Sequence, residues 1–335
     1  MVEINDWGQI EDKGWGTLLL GNGMSINVSP RFDYGSLYKE AKKRGLIDEH
    51  AEAIFHLFDT ENFEVALSKL RDTIAITGNF KKGTADYEDC FRSIQKTLGR
   101  TVREVHPKKR EVPAETLKAI RDELLEYEAI FTTSYDLLIY WALACRGSFF
   151  PFGDFFWSGR ENKFDPEESD LKRHRTPIYH LHGALHLVVN RDGTTRKLSK
   201  KDLKEGEDDL LSLFDKDAPR ELEARQLLVT EGSARDKLQA IEANDYLSHV
   251  YTALKDDEKD LLIFGHSLAD EDRHLIDAIN ANQKRSVAVS MHGGSKKRLH
   301  EAGHRILSKL HVENVYLFHA ETHPLGDPEL GALDA

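Results

Sequence analysis

The stretch TLLLGNGMS, residues 17–25, decides how the chain is read. Thr17 to Leu20 is strand-length and carries no charge, and it runs straight into Gly21-Asn22-Gly23-Met24-Ser25. A strand that is apolar on every residue, with no alternation, is one buried on both faces, as in a parallel sheet covered by helices. Glycine allows a tight turn after such a strand and lets a pyrophosphate approach the backbone amides. Ser25 suits a helix cap or a phosphate donor. Runs of the same kind recur as AIFTTS (129–134), PIYHLHG (177–183), LLIFG (261–265), VAVSMHG (287–293) and VYLFH (315–319). Helical patterns lie between them, among them DLLIYWALA from Asp136, DRHLIDAINANQ from Asp272 and SKKRLHEAGHRILSKL from Ser295. Strands alternating with helices predict an α/β fold built on a doubly wound, Rossmann-like parallel sheet.

Two stretches depart from this alternation. Residues 36–126 read as successive amphipathic helices, a helical insertion in a single domain spanning 1–335. ENFEVALSKLRDTIAI places Phe63, Ala66, Leu67 and Leu70 on one face. PAETLKAIRDELLEYEAI starts at Pro113 and continues through Leu117, Ile120, Leu124 and Leu125. Residues 200–225 are charged and irregular and read as a surface excursion.

With 40% hydrophobic and 31% charged residues the composition is that of a globular chain. The only cysteines, Cys90 and Cys145, form neither a CxxC pair nor a disulfide framework, so a reducing, cytoplasmic setting is expected. The formal net charge of −12 repels phosphate backbones, so nucleic acid is not expected as a direct ligand. The basic clusters Lys108-Lys109-Arg110 and Lys172-Arg173-His174-Arg175 read as solvated loops or helix ends. No apolar run reaches the roughly 20 residues of a membrane helix. The opening MVEINDWGQIED lacks the apolar core of a signal segment.

Four constellations at strand ends carry chemistry. Gly21-Asn22-Gly23-Met24-Ser25 is a phosphate-loop candidate without the third glycine of the dehydrogenase fingerprint, which disfavours hydride transfer. Thr133, Ser134 and Asp136, in IFTTSYD, stand where open α/β sheets bind ligands, although Asp136 equally suits a helix cap. YHLHGALHL offers His180, His182 and His186; on a strand the first two share a face. Zinc is not expected there, because no nearby carboxylate or cysteine offers a further ligand. LLIFGHSLADEDRHL ends a strand in Gly265-His266-Ser267, and its acids read as compensation of a helix dipole.

The order of these motifs, Gly-x-Gly-x-Ser, Thr-Thr-x-x-Asp, His-Gly and Gly-x-Ser-Leu, resembles that of the sirtuin superfamily. It is nearest to the sirtuin-like proteins of bacterial antiphage defence and their uncharacterised bacterial relatives. VTEGSARDKLQAIEANDYLSHVYTAL followed by LLIFGHSLADEDRHL carries much of the likeness, which spans about residues 15 to 320. The resemblance implies a sheet of sirtuin type and NAD as substrate. Gly21, Asn22, Gly23 and Ser25 would meet phosphates, Gly265 and Ser267 a ribose or phosphate, and Thr133 and Ser134 the ribose side. Asp136 would hold the carboxamide, and His182, which directly precedes Gly183, would be the catalytic histidine. The implied activity is NAD hydrolysis to nicotinamide and ADP-ribose by a defence effector that forms homo-oligomers and answers to a partner protein.

Three departures qualify the likeness. Ser134 stands where the family has asparagine, which raises the alternative of an NAD- or ADP-ribose-binding regulatory protein with weak or no turnover. The cysteine quartet of the deacetylases is missing, so peptide deacylation is not expected. In SPRFDYGSL, Arg31 and Asp33 only loosely match the Pro-Asp-Phe-Arg loop of the deacetylases. A third reading, ranked last, is a metal-dependent hydrolase using His180, His182 and His186.

Overall fold

The computed structural model describes residues 2–32, 37–61, 63–157, 161–168, 175–190, 192–205, 207, 209–214, 225–229 and 233–331. Its strands are β1 (Thr17–Leu20), β2 (Ala129–Thr132), β3 (Phe152–Gly153), β4 (Thr176–His180), β5 (Gly183–Val189), β6 (Thr195–Lys197), β7 (Arg225–Leu228), β8 (Leu261–Phe264), β9 (Ser286–Met291) and β10 (Asn314–His319). Seven of them form one sheet in the order β10-β9-β8-β1-β2-β4-β3, with every pairing parallel. Reading outward from β1, the chain steps one way through β2 and β4, then crosses back and steps the other way through β8, β9 and β10. This is the Rossmann-like winding, with its reversal point between β1 and β8.

Right-handed crossovers that step in opposite directions must lie on opposite faces of a sheet, and the helices divide accordingly. On one face, Leu18, Leu20, Ile130, Ile178, Leu262 and Phe264 meet α1 (Asn22–Val28), α2 (Leu37–Lys43), α3 (Glu49–Leu57), α4 (Phe63–Asn79), α5 (Ala85–Val105), α6 (Ala114–Leu124) and α7 (Leu138–Ala144). On the other, Leu19, Phe131, Leu261, Ile263, Val287 and Val289 meet α8 (Ala234–Glu242), α9 (Asp245–Asp256), α10 (Arg273–Asn280) and α11 (Lys296–Lys309). Consecutive residues of β1 thus serve different cores. Leu18, Leu19 and Leu20 are wholly buried, each contributing on the order of 2 kcal/mol of apolar transfer.

Helices α2 to α6 fill residues 37–124. Phe63, Ala66, Leu67 and Leu70 are all buried, as the periodicity predicts, whereas Leu125 caps the end of α6 and stays exposed. Of 200–225, the described part forms short turns at Lys200–Asp202 and Leu210–Phe214 that bury Leu210 and Leu213. Arg225 opens β7, and the rest of that stretch lies largely outside the described residues.

Two features were not anticipated. PIYHLHG is not one strand: β4 stops at His180, and Gly183 opens β5 in a separate antiparallel sheet of order β6-β5-β7. Gly183 has φ +76°, and a Cβ there would lie 2.0 Å from the Leu227 carbonyl oxygen. The second is His106, buried with the edges of its ring set against Phe32 and Trp141. Its Nε2 accepts from the Leu137 amide at 2.9 Å, so the proton sits on Nδ1, 2.7 Å from the Pro107 carbonyl oxygen. The end of α5 is thereby tied to the turn between β2 and α7.

Burial pushes His106 down to about 4 from an ordinary value near 6.5. The fold therefore favours the neutral ring. That stabilisation, on the order of 3 kcal/mol, is complete above about pH 6.5 and is lost as pH falls towards about 4. Thermal melts from pH 7 to pH 4.5 are expected to show this loss, with a shallower slope for His106→Gln; equal slopes would count against it.

The turns after β1 and β8 interlock. The Gly21 and Gly23 amides donate to the carbonyls of Phe264 and Gly265, both at 2.8 Å. A Cβ on Gly21 would lie 2.4 Å from the Gly265 oxygen, and one on Gly265, at φ +69°, would lie 2.7 Å from the Met24 nitrogen. Gly21→Ala and Gly265→Ala should each cost more than about 2 kcal/mol by denaturant unfolding. Gly14→Ala should cost only about 1 kcal/mol, because φ is +82° but nothing lies within 4 Å.

Candidate functional site

The reversal point between β1 and β8 is where ligands enter sheets of this winding. The glycine turns define its floor, and four strand-end segments surround it. Because their amides are already bonded to carbonyls, Gly21 and Gly23 contribute close backbone approach more than free donors. Asn22 donates from Nδ2 to the Phe32 carbonyl at 2.7 Å, while its buried Oδ1 has no partner among the described residues. The Gly265 amide donates to Ser290 Oγ at 2.8 Å, and Ser267 is exposed.

Ser25 and Asp136, 111 positions apart, meet in the core: Ser25 Oγ donates to Asp136 Oδ2 at 2.6 Å. Asp136 Oδ1 accepts from the Leu138 amide at 2.8 Å, which caps α7. Burial raises the Asp136 carboxyl above its usual range, against the pull of these donors. Thr133 donates from its amide to the Leu20 carbonyl at 2.9 Å and stitches β2 to β1. Ser134 is buried, and its hydroxyl has no partner among the described residues.

A polar cluster surrounds His182, in the turn between β4 and β5. His182 Nε2 lies 2.9 Å from Nε2 of His274, the second residue of α10. The ligating atoms of His182, Asp272 and His274 all lie within 4.8 Å of one another. Lys237 of α8 holds Asp272 Oδ1 at 2.9 Å, and His266 Nε2 lies 3.5 Å from Oδ2. The Leu268 amide donates to His266 Nδ1 at 3.0 Å, which puts the His266 proton on Nε2, facing the carboxylate. Burial pushes His182 and His266 down and takes His274 to about 4, so these rings are neutral at pH 7. Burial also opposes ionisation of Asp272, but the facing His182 and His266 imidazoles and the Lys237 ammonium outweigh it and hold the carboxyl low. The cluster adjoins the glycine floor, because a Cβ on Gly21 would lie 2.6 Å from the His266 Cα.

The three histidines of YHLHGALHL do not converge. His180 ends β4 and sets its ring against His186, 4.9 Å between centroids, beside the buried Lys197–Asp154 pair. His182 lies past the strand end and faces His274. The shared strand face expected for His180 and His182 is lost because the strand stops between them. The carboxylate that appeared to be lacking for His182 is Asp272, 90 positions along the chain. Its signal was present in LADEDRHL as Asp-x-His, read as dipole compensation; no sequence signal pointed to Lys237. Arg31 pairs with Glu111 at 3.3 Å, away from the cluster, and Asp33 lies outside the described residues. Lys108, Lys109 and Arg110 line a separate surface pocket with Lys118, Arg146 and Asp209, none of which belongs to the cluster. Residues 172–174 of the second basic cluster are outside the described residues, while Arg175 lies over Phe150 and Trp157. Among the described residues no helix is long and apolar enough to cross a membrane.

A Rossmann-like sheet with a buried His-Asp-His cluster at its reversal point defines the class of protein. The chain belongs to the family of the domain of unknown function DUF4917, whose model matches residues 18–325 and so includes all of the site. A search of the curated proteins finds no match.

Ser25→Ala should destabilise by about 1–3 kcal/mol, because it leaves the buried Asp136 carboxyl short of a donor. Ser134→Ala should change stability by less than about 0.5 kcal/mol, since it removes a hydroxyl with no partner among the described residues. Denaturant unfolding of the two variants checks the contrast, and equal losses would contradict it.

Proposed function

We propose that this chain is a sirtuin-type NAD glycohydrolase. The observation that carries the reading is the convergence of motifs at one edge of the sheet: Gly21–Ser25, Thr133–Asp136, His182-Gly183 and Gly265–Ser267 all follow the carboxyl ends of β1, β2, β4 and β8, which are contiguous in the sheet. In this reading the pyrophosphate lies over the glycine turns, and the nicotinamide ribose points towards His182.

The C–N bond between nicotinamide and ribose breaks with its electron pair leaving on nicotinamide, and the ribose becomes oxocarbenium-like. Water adds at the same carbon and passes its proton to His182. The products are nicotinamide, ADP-ribose and a proton. A neutral, buried imidazole is the right form for that acceptance. His274, sharing one proton with His182 across 2.9 Å, offers an onward path for it. Asp136, bonded to Ser25, acts here by fixing the turn that carries Thr133 and Ser134. The cellular role that accompanies this reading is NAD depletion in antiphage defence, by a cytoplasmic homo-oligomer that works beside a partner protein.

A second reading, an NAD- or ADP-ribose-binding regulator without turnover, is favoured by Ser134, whose buried hydroxyl has no partner among the described residues and is shorter than the amide of asparagine. Nicotinamide release from NAD separates the two. The hydrolase is expected to release nicotinamide, with at least a 100-fold loss in His182→Ala and a gain in Ser134→Asn. NAD binding without release in either the parent or Ser134→Asn would favour the regulator, and no binding would sink both.

A further inference from the structure

We propose that His182, Asp272 and His274 form a binding site for a zinc-class divalent cation, and that occupancy withdraws His182 from catalysis. The binding half stands on geometry alone; the catalytic half rests on the glycohydrolase reading. Two imidazole nitrogens and a carboxylate oxygen form a donor set that suits zinc, and three protein ligands leave a fourth position open. Tetrahedral coordination at about 2.0–2.1 Å spaces two nitrogens by roughly 3.3 Å, a few tenths of an ångström wider than the 2.9 Å between His182 Nε2 and His274 Nε2. Rotation of the two rings would open that gap, and the Asp272 oxygen, within 4.8 Å of them, would close in towards the same spacing.

The carboxylate is already oriented by outer partners, with Lys237 on Oδ1 at 2.9 Å and the His266 Nε2–H side facing Oδ2 at 3.5 Å. Ligating carboxylates are commonly held by such partners. Lys237 offsets the charge of Asp272, so the carboxylate draws a cation less strongly than one without such a partner would. Its affinity should therefore fall below that of closed cysteine-rich sites, which suits reversible occupancy. Loading requires whichever ring carries its proton on Nε2 to move it to Nδ1. With Nε2 on the metal, His182 carries its remaining proton on Nδ1 and has no lone pair left to take a proton from water.

The test is equilibrium dialysis of the full-length chain against ZnCl2, with CoCl2 absorption as a report of coordination. It is run in a His304→Ala background, because His300 and His304 form an exposed imidazole pair 3.1 Å apart that would also take zinc. One zinc per chain is expected, with affinity weakened ~10-fold or more by Asp272→Asn and by His274→Gln, both checked for folding by thermal melts. No zinc in the His304→Ala background, or binding that a folded His274→Gln leaves intact, overturns the site. Nicotinamide release should fall in step with zinc occupancy and return with chelator; release unaffected at full occupancy overturns the catalytic half. Zinc bound with no nicotinamide released at any metal level would keep the site and reject the glycohydrolase reading and, with it, the catalytic half.

Discussion

Everything at the reversal point depends on one backbone-to-backbone contact, the interlock of the turns after β1 and β8. Two amide-to-carbonyl bonds of 2.8 Å join Gly21 and Gly23 to Phe264 and Gly265. No Cβ fits on Gly21 or Gly265. The contact closes the sheet where its winding reverses, starts α1 at a fixed angle and sets His266 against the glycine floor. From His266 the constraint passes to Asp272, and from Asp272 to His182 and His274. The polar cluster is thus built on the rigid edge of the sheet, where side chains are held most precisely.

The helices contribute differently on the two faces. Those on the α1–α7 face bind the chain around Asp136 through Ser25 and His106, and so fix the segment carrying Thr133 and Ser134. Those on the other face supply the charged and imidazole groups: Lys237 from α8, and Asp272 and His274 from the start of α10. A ligand at the switch point would meet a hydroxyl-lined wall from β2 and an imidazole-lined wall from β4 and α10.

Much of the fold was legible because the inner strands β1, β2, β8 and β9 are buried on both faces and therefore read as nearly unbroken apolar runs. β1, β2, β8, β9 and β10 appear at those runs. The break within PIYHLHG was hidden: Leu181 is as apolar as a strand residue, and only the positive φ of Gly183 marks the change of sheet. The small antiparallel sheet was missed for a related reason, since Thr195–Lys197 is too short to show a period. The site was half legible. Ser25, Asp136 and His182 were singled out from local motifs, but the partners of His182 lie 55 to 92 positions away. Asp272 looked like an ordinary helix start, and neither His274 nor Lys237 was singled out. Their role is set by packing between distant elements, which local spacing does not encode.

The most direct test of the central claim is the crystal structure of the chain with ADP-ribose bound. The account predicts a pyrophosphate over the Gly21–Ser25 and Gly265–Ser267 turns, with the terminal ribose within hydrogen-bond reach of His182. ADP-ribose held elsewhere, for instance in the basic pocket around Lys109 and Lys118, with the β1–β8 crevice free of it, would contradict the account.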